Sequence, residues 1–378
     1  MIQQVNFSLV PSVSNKIIDN TGKVWPSIRA LAKALKINKS RISYQVKKKG
    51  FFVQDGITYR LLDTKAVNTE KKQESKDQEY EKFKRYKEVK AQPFKVYNFK
   101  YEETPIGFRY AVVLFSDLHI EETVKPEGVL GLNEYNINIA TKRVETFFSN
   151  LAQCLNADKV DELIFGALGD NISGYIHEEL AQCNGLTPIE ATYKAQSLIF
   201  SGLKFLCEHT NLKKIRFIGI VGNHGRTTKK IQHANGFKLS YEWLMYKNIE
   251  AYGEAAKLPI EFYIPESELA IVNTADNKKF IFCHGFQIRS SGNNAVCGIY
   301  PALNRLALKW NKTINQDKIY LGHFHSITSI PNAVVNGSII GYNTFALTNG
   351  FPYERPMQHY EVHDTNIGEL LTRKIYCE

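Results

Sequence analysis

The chain changes its hydrophobic rhythm twice. Near the start, Ile28, Leu31, Ala32 and Leu35 fall at i, i+3, i+4 and i+7, one apolar face of a short helix. Lys36-Ile37-Asn38 breaks the pattern, and Asn38 or Ser40 is placed to cap a second helix. There Ile42 and Val46 point inward, while Lys39, Arg41, Ser43, Tyr44 and Lys47 point outward. Residues 51–60 then predict a hairpin on the two-residue turn Asp55-Gly56. Residues 64–92 are almost free of aliphatics and read as a charged helix or linker, with one stripe of Tyr80, Phe83 and Tyr86. Beyond residue 93, apolar strands at 110–115, 162–166, 214–221, 280–283 and 318–321 alternate with helical stretches near 135–155, 188–208, 237–246 and 302–310. A β-rich tail follows His325, with turn signals at Asn336-Gly337, Gly341-Tyr342 and Asn349-Gly350. Strands alternating with helices predict an α/β layered core, with polar motifs at the strand ends.

Charge sharpens this division. The 378 residues carry 48 Lys and Arg against 38 Asp and Glu, a formal +10. Residues 1–92 hold 20 basic and 9 acidic side chains, leaving 28 basic against 29 acidic in the rest. All of the basic excess therefore sits in the first quarter, which points to a polyanion-binding head on a near-neutral body. Three regions are expected: a head at 1–63, a charged linker or helix at 64–92, and a body at 93–378. No apolar run approaches the ~18 residues of a membrane span. Met1-Ile2-Gln3-Gln4 lacks the basic start and apolar core of a signal peptide. None of the six cysteines forms a Cys-x-x-Cys pair, so free thiols in a cytoplasmic protein are expected.

The outward side chains of the second helix suit a recognition helix, cationic for phosphates and polar for base edges. The segment resembles the small helix-turn-helix modules appended to homing endonucleases and other phage nucleases. It departs from them at Lys36, which stands at a turn position where such motifs commonly carry Gly. The resemblance implies DNA as partner, contacted by Lys39, Arg41, Ser43, Tyr44 and Lys47.

Five motifs in the body each follow an apolar strand: Asp117-Leu118-His119, Gly169-Asp170-Asn171, Gly222-Asn223-His224, His284-Gly285 and Gly322-His323-Phe324-His325. Side chains alternate along an extended segment, so Asp-x-His and His-x-His each aim two metal-compatible groups the same way. Mixed carboxylate, amide and imidazole donors suit Mn²⁺, Fe or Zn²⁺, whereas Ca²⁺ or Mg²⁺ needs no such set of histidines.

This order resembles the calcineurin-like metallophosphoesterase superfamily over about residues 110–348, through its DxH…GD…GNH…H…GHxH signature. The resemblance implies a four-layer αββα sandwich holding two divalent metals, Mn²⁺ first, with Fe or Zn²⁺ as alternatives. Asp117, His119 and His325 would hold one metal. Asp170 would bridge, and Asn223, His284 and His323 would complete the second site. Such a pair activates a bridging hydroxide for in-line attack on phosphorus, and His224 is the expected catalytic proton donor. The carboxylate usual after that histidine is replaced by Gly225, so another group must orient the ring. Arg226, His177, Arg289 and His233 are candidate substrate contacts, and Glu121-Glu122 reads as a solvated loop. His209 and His359 read as structural or exposed.

Three functions follow as expectations. The first is a DNA nuclease, the second a phosphatase for phosphoproteins or small phosphoesters, and the third a DNA-binding regulator without chemistry. The absence of Gly-x-x-x-x-Gly-Lys-Ser/Thr gives ATP hydrolysis no support. A second copy or a partner subunit is left open.

Overall fold

The computed structural model describes residues 16–62, 81, 105–176, 178, 180–288 and 299–378. The chain divides into two compact units, Met1–Lys100 and Tyr101–Glu378. The expected linker stripe of Tyr80, Phe83 and Tyr86 lies outside the described residues.

In the first unit, β1 (Ile17–Asp19), β2 (Val24–Trp25), α1 (Ile28–Leu35), α2 (Lys39–Lys49), β3 (Phe51–Gln54) and β4 (Ile57–Leu61) form two helices on a sheet of order β2-β1-β4-β3. Strands β1 and β2 are too short to show a pattern in the sequence and form because β4 offers β1 an open edge. Asn38, one of the two expected caps, accepts from Ser40 N–H at 2.9 Å. Lys36 closes α1 with φ of 53°, the left-handed conformation for which glycine is favoured. Keeping Lys there costs roughly 1 kcal/mol. Leu31, Ile42, Val46, Phe52 and Tyr59 fill a separate small core.

The second unit contains β5 (Arg109–Phe115), α3 (Ile137–Asp158), β6 (Glu162–Ala167), α4 (Pro188–His209), β7 (Lys214–Gly219), α5 (Tyr241–Ala255), β8 (Ile260–Tyr263), β9 (Leu269–Asn273), β10 (Lys279–Cys283), α6 (Tyr300–Ile314), β11 (Lys318–Leu321), β12 (Thr328–Ile330), β13 (Ala333–Val335), α7 (Thr344–Thr348), β14 (Met357–Asp364) and β15 (Gly368–Tyr376). Two sheets result, β15-β14-β5-β6-β7-β8 and β12-β13-β11-β10-β9. Alternation along β5 explains the layering. Ala111, Val113 and Phe115 face the helices, where they join Val144, Phe147, Ile199, Leu203, Met245 and Ile249. Tyr110, Val112 and Leu114 face the other way and meet Phe280, Phe282, Tyr320 and Val334 of the second sheet. That sheet's outer face, with Ile281, Ile319 and Val335, packs on Leu303 and Ala307 of α6. Helices, sheet, sheet and helix make a four-layer αββα sandwich. Rings of Phe115, Phe147, Phe148, Phe165 and Phe217 interlock in the largest core. Truncating one of them to Ala costs about 3–5 kcal/mol.

Three local expectations need correction. The helix expected at 237–246 is a 3-10 turn, Gly236–Leu239, followed by α5, because Ser240 caps the new helix by accepting from Glu242 N–H at 3.2 Å. The strand expected at 214–221 ends at Gly219, and residues 220–221 start the loop of the third motif. The turn expected at Asn336-Gly337 does not form. Asn336 is fully buried, donating to Ser116 Oγ at 2.9 Å and Gln358 Oε1 at 2.7 Å. No helix among the described residues is long and apolar enough to cross a membrane.

Candidate metal centre

Topology explains why five motifs meet. β5, β6 and β7 run side by side and parallel in one sheet, as do β10 and β11 in the other. A motif follows the C-terminal end of each strand, so both sheets deliver polar side chains to one place. The turns are sharp. Asp117, His119, Asp170, His323 and His325 all have φ between 46° and 73°. Non-glycine residues rarely adopt that region, and it clusters where backbone strain aims a side chain.

Asp117, His119 and His325 form one group and Asp170, His284 and His323 another, with the ligand atoms of each within 4.8 Å of one another. His325 Nε2 lies 3.3 Å from Asp117 Oδ1 and 3.3 Å from His119 Nε2. His284 Nε2 lies 2.9 Å from Asp170 Oδ2 and 3.1 Å from Asn223 Oδ1, which brings Asn223 into the second group. Donors about 2.0–2.2 Å from a shared cation stand about 3 Å apart, so these spacings fit divalent metal ions. The far nitrogens are already engaged: His119 Nδ1 with Ser173 Oγ at 2.9 Å, His284 Nδ1 with the Leu168 carbonyl at 2.6 Å. Both Nε2 atoms are thereby turned to the centre.

Electrostatics agree. Burial, then the neighbouring His224 and His325, holds His119 well below the usual imidazole range, and burial beside His284 brings His323 down to about 4. Both shifts favour the neutral ring, the form that metal ligation requires. Burial opposes charge on His284, yet Asp170 raises it to about 9, and Asp117 raises His325 against burial in the same way. Each of these carboxylates thus calls for a positive charge beside it.

The two loops carrying Asp170 and Asn223 touch backbone to backbone. A Cβ on Gly169 would stand 2.1 Å from Gly222 N, and one on Gly222 would stand 2.1 Å from Asp170 Oδ1. Glu242, fully buried in the first turn of α5, bolts them together. Its Oε1 accepts Asn171 N–H at 2.6 Å and its Oε2 accepts Gly222 N–H at 2.6 Å. Burial, then Asp170, pushes its carboxyl up to about 7. The sequence reading missed Glu242, because an acidic residue in a first helical turn is ordinary on a solvated surface.

His224 N–H donates to Asp170 Oδ1 at 2.8 Å, and its Nδ1–H donates to the Ser173 carbonyl at 3.0 Å. The carbonyl takes the orienting role for which the sequence offers no adjacent carboxylate. His224 stands edge-on to His119, with ring centres 4.8 Å apart. Arg226 braces its own loop, donating to the carbonyls of Asn223 at 2.5 Å and Thr228 at 3.1 Å. His233 is exposed, 3.4 Å from Glu268. His177 and Arg289 lie outside the described residues. Glu121 corrects the expectation of a solvated loop. It is buried, accepts N–H bonds from Ser173 and Gly174 at 2.8 Å each, and is raised to about 7 by burial. Exposed His209 stacks on Phe205, while His359 is buried against Glu361. A third acidic and imidazole group, Glu361, His363 and Glu369, already holds a cation. Lys318 Nζ lies 2.7 Å from Glu361 and 3.0 Å from Glu369.

In the head, Ile42 and Val46 are buried, Lys39, Arg41, Tyr44 and Lys47 are exposed, and Ser43 is half-buried. Lys39, Ser40, Ser43, Tyr44, Lys47 and Lys48 line one hollow along α2. Arg41 sits apart from it, and Lys48, absent from the sequence expectation, joins it by donating to Tyr44 Oη at 3.0 Å.

No family model matches the chain, and no curated protein does. Similar solved structures include Vacuolar Protein Sorting 29 from Cryptosporidium parvum, at 14% identity over 71% of this chain and 97% of that one, with a TM-score of 0.29. A putative 5′-nucleotidase from Staphylococcus aureus shares 10% identity over 71% of this chain and 54% of its own length, at 0.31. Calcineurin-like phosphoesterase YfkN from Bacillus subtilis shares 9% over 72% and 91%, at 0.28. TM-scores at this level add nothing to the fold, which rests on the sheets and layers described above.

Proposed function

We propose that the body is a two-metal phosphoester hydrolase and that the whole chain is a DNA nuclease, its basic head binding the substrate. The observation that supports this most is the pairing of two adjoining ligand groups, Asp117, His119 and His325 beside Asp170, His284, His323 and Asn223. Divalent ions held there would polarise a phosphoryl oxygen and supply a hydroxide near neutral pH. The chain's own residues do the rest. Asp117 and Asp170 provide the charge that holds the cations, and the neutral rings of His119 and His323 complete the sites. His224, with its proton on Nδ1 fixed by the Ser173 carbonyl, presents Nε2 as the nitrogen that carries a proton to the leaving oxygen. Arg226 steadies the Asn223 loop and adds positive charge beside it. The head supplies phosphate neutralisation through Lys39, Lys47 and Lys48, with Arg41, Ser43 and Tyr44 as further DNA contacts.

A phosphatase for phosphoproteins or small phosphoesters is the second reading, favoured by the body's balance of 28 basic and 29 acidic residues beyond residue 92. The test is hydrolysis in Mn²⁺ of linear, nicked and single-stranded DNA beside p-nitrophenyl phosphate, with Asp170→Ala as control. DNA cleavage lost in the variant supports the nuclease. Turnover of p-nitrophenyl phosphate with every DNA intact refutes it.

A further inference from the structure

Ser173 lies in the loop after β6, fully buried, and all its polar atoms are engaged. Its N–H donates to Glu121 Oε1 at 2.8 Å, its hydroxyl meets His119 Nδ1 at 2.9 Å, and its carbonyl accepts from His224 Nδ1 at 3.0 Å. On the far side, Glu122 Oε2 lies 3.4 Å from the same hydroxyl, and Glu122 Oε1 accepts from Asn343 at 3.1 Å. The donor order is therefore defined. His119 Nδ1–H donates to Ser173 Oγ, and the Ser173 hydroxyl donates to the Glu122 carboxylate. The carboxylate polarises the hydroxyl, and the hydroxyl fixes the tautomer that turns His119 Nε2 toward the ligand group.

We propose that Ser173 is the positioning residue of both imidazoles, holding the ligand His119 through its side chain and His224 through its backbone. This rests on the metal reading of the site. Because the two imidazoles use different groups of one residue, they are separable. Removing the hydroxyl withdraws support from His119 alone. His224 keeps its carbonyl partner, since Glu121 still holds the loop through Ser173 N–H and Gly174 N–H. A residue that only fills space would affect both rings together or neither.

The experiment is Co²⁺ titration of the full chain, followed by visible absorption and calorimetry, with ¹⁵N–¹H histidine spectra of the metal-free chain. Wild type is expected to bind two Co²⁺. In Ser173→Ala one site weakens by about 10–100-fold while the other holds, the range expected for loss of an outer partner of a metal ligand. His119 loses its fixed Nδ1–H tautomer and His224 retains it. Ser173→Thr, which keeps a hydroxyl, recovers the weakened site. Equal Co²⁺ affinities in Ser173→Ala and wild type, or a parallel loss at both sites with both tautomers disturbed, overturn the proposal. Wild type that binds no Co²⁺ removes the metal reading and this proposal with it, whereas two sites indifferent to Ser173→Ala remove the proposal alone.

Discussion

Gly222→Ala puts the close approach of the two central loops to the test. A methyl there would stand 2.1 Å from Asp170 Oδ1 and 2.3 Å from Asp170 N. Non-bonded heavy atoms settle near 3.5 Å, so one loop must move by more than about 1 Å. Neither is free to do so, because Glu242 holds Gly222 N–H and Asn171 N–H at 2.6 Å each. Overpacking of this kind costs about 1–3 kcal/mol, which at roughly 2–4 °C per kcal/mol lowers Tm by about 2–12 °C. The chemical effect is larger. Asp170 carries ligand group two and receives His224 N–H, and misplacing reacting groups by about 1 Å costs about 10²-fold in rate. Calorimetry with Mn²⁺ and hydrolysis of bis-p-nitrophenyl phosphate measure the two consequences. Gly185→Ala is the control, since a methyl there meets nothing closer than 3.7 Å. Two Mn²⁺ bound with wild-type affinity and undiminished turnover in Gly222→Ala would refute the reasoning.

Further outcomes follow from other contacts. Glu361 is buried between Lys318 Nζ at 2.7 Å, His363 Nε2 at 2.8 Å, His359 Nε2 at 2.9 Å and the Tyr320 hydroxyl, so Glu361→Ala should cost about 3–5 kcal/mol in thermal unfolding. A loss under about 1 kcal/mol would show the cluster to be neutral. Burial opposes its ionisation, but the two histidines and Lys318 hold its carboxyl well below the usual range. Its contribution is thus present above the unfolded value of about 4.3 and is lost as pH falls through the folded one. The stability difference between wild type and Glu361→Gln should therefore shrink below about pH 4, and a constant difference would contradict this. His224→Gln should lower the rate about 10²–10⁴-fold while both Mn²⁺ ions stay bound, and loss of metal would mean that the ring is a ligand instead. In the head, Lys47→Ala should reduce the slope of log affinity against log salt by about 1 for any DNA sequence, an effect that a salt-independent change would disprove.

Much of the architecture is legible along the chain because its signals are local. The five strand cores declare themselves by apolar runs, and β5 shows both faces of its sheet because it is buried on both sides. The Asn38 cap of α2 is legible in the same way, whereas the caps at Asn136 and Thr187 show only in the fold. Short strands such as β1, β2 and β12 carry no such signal, since the pairing partner, not their own composition, makes them strands.

The sequence by itself determined which residue types end the strands, and the uneven charge that separates head from body. The extended alternation expected in Asp117-x-His119 and His323-x-His325 does not form, because all four residues turn through the left-handed region, and the turns rather than a strand period set their aim. Only the folded chain decided which groups meet across the two facing sheets, and how. Glu121, expected in solvent, folds inward to hold Ser173 and Gly174, and Glu242 reaches from another helix to lock two loops. A serine carbonyl orients His224 where a carboxylate was sought. These roles depend on hydrogen bonds between segments about 50 to 70 residues apart in sequence. A contact of that kind has no local pattern, because its geometry exists only when the strands that carry its partners are paired.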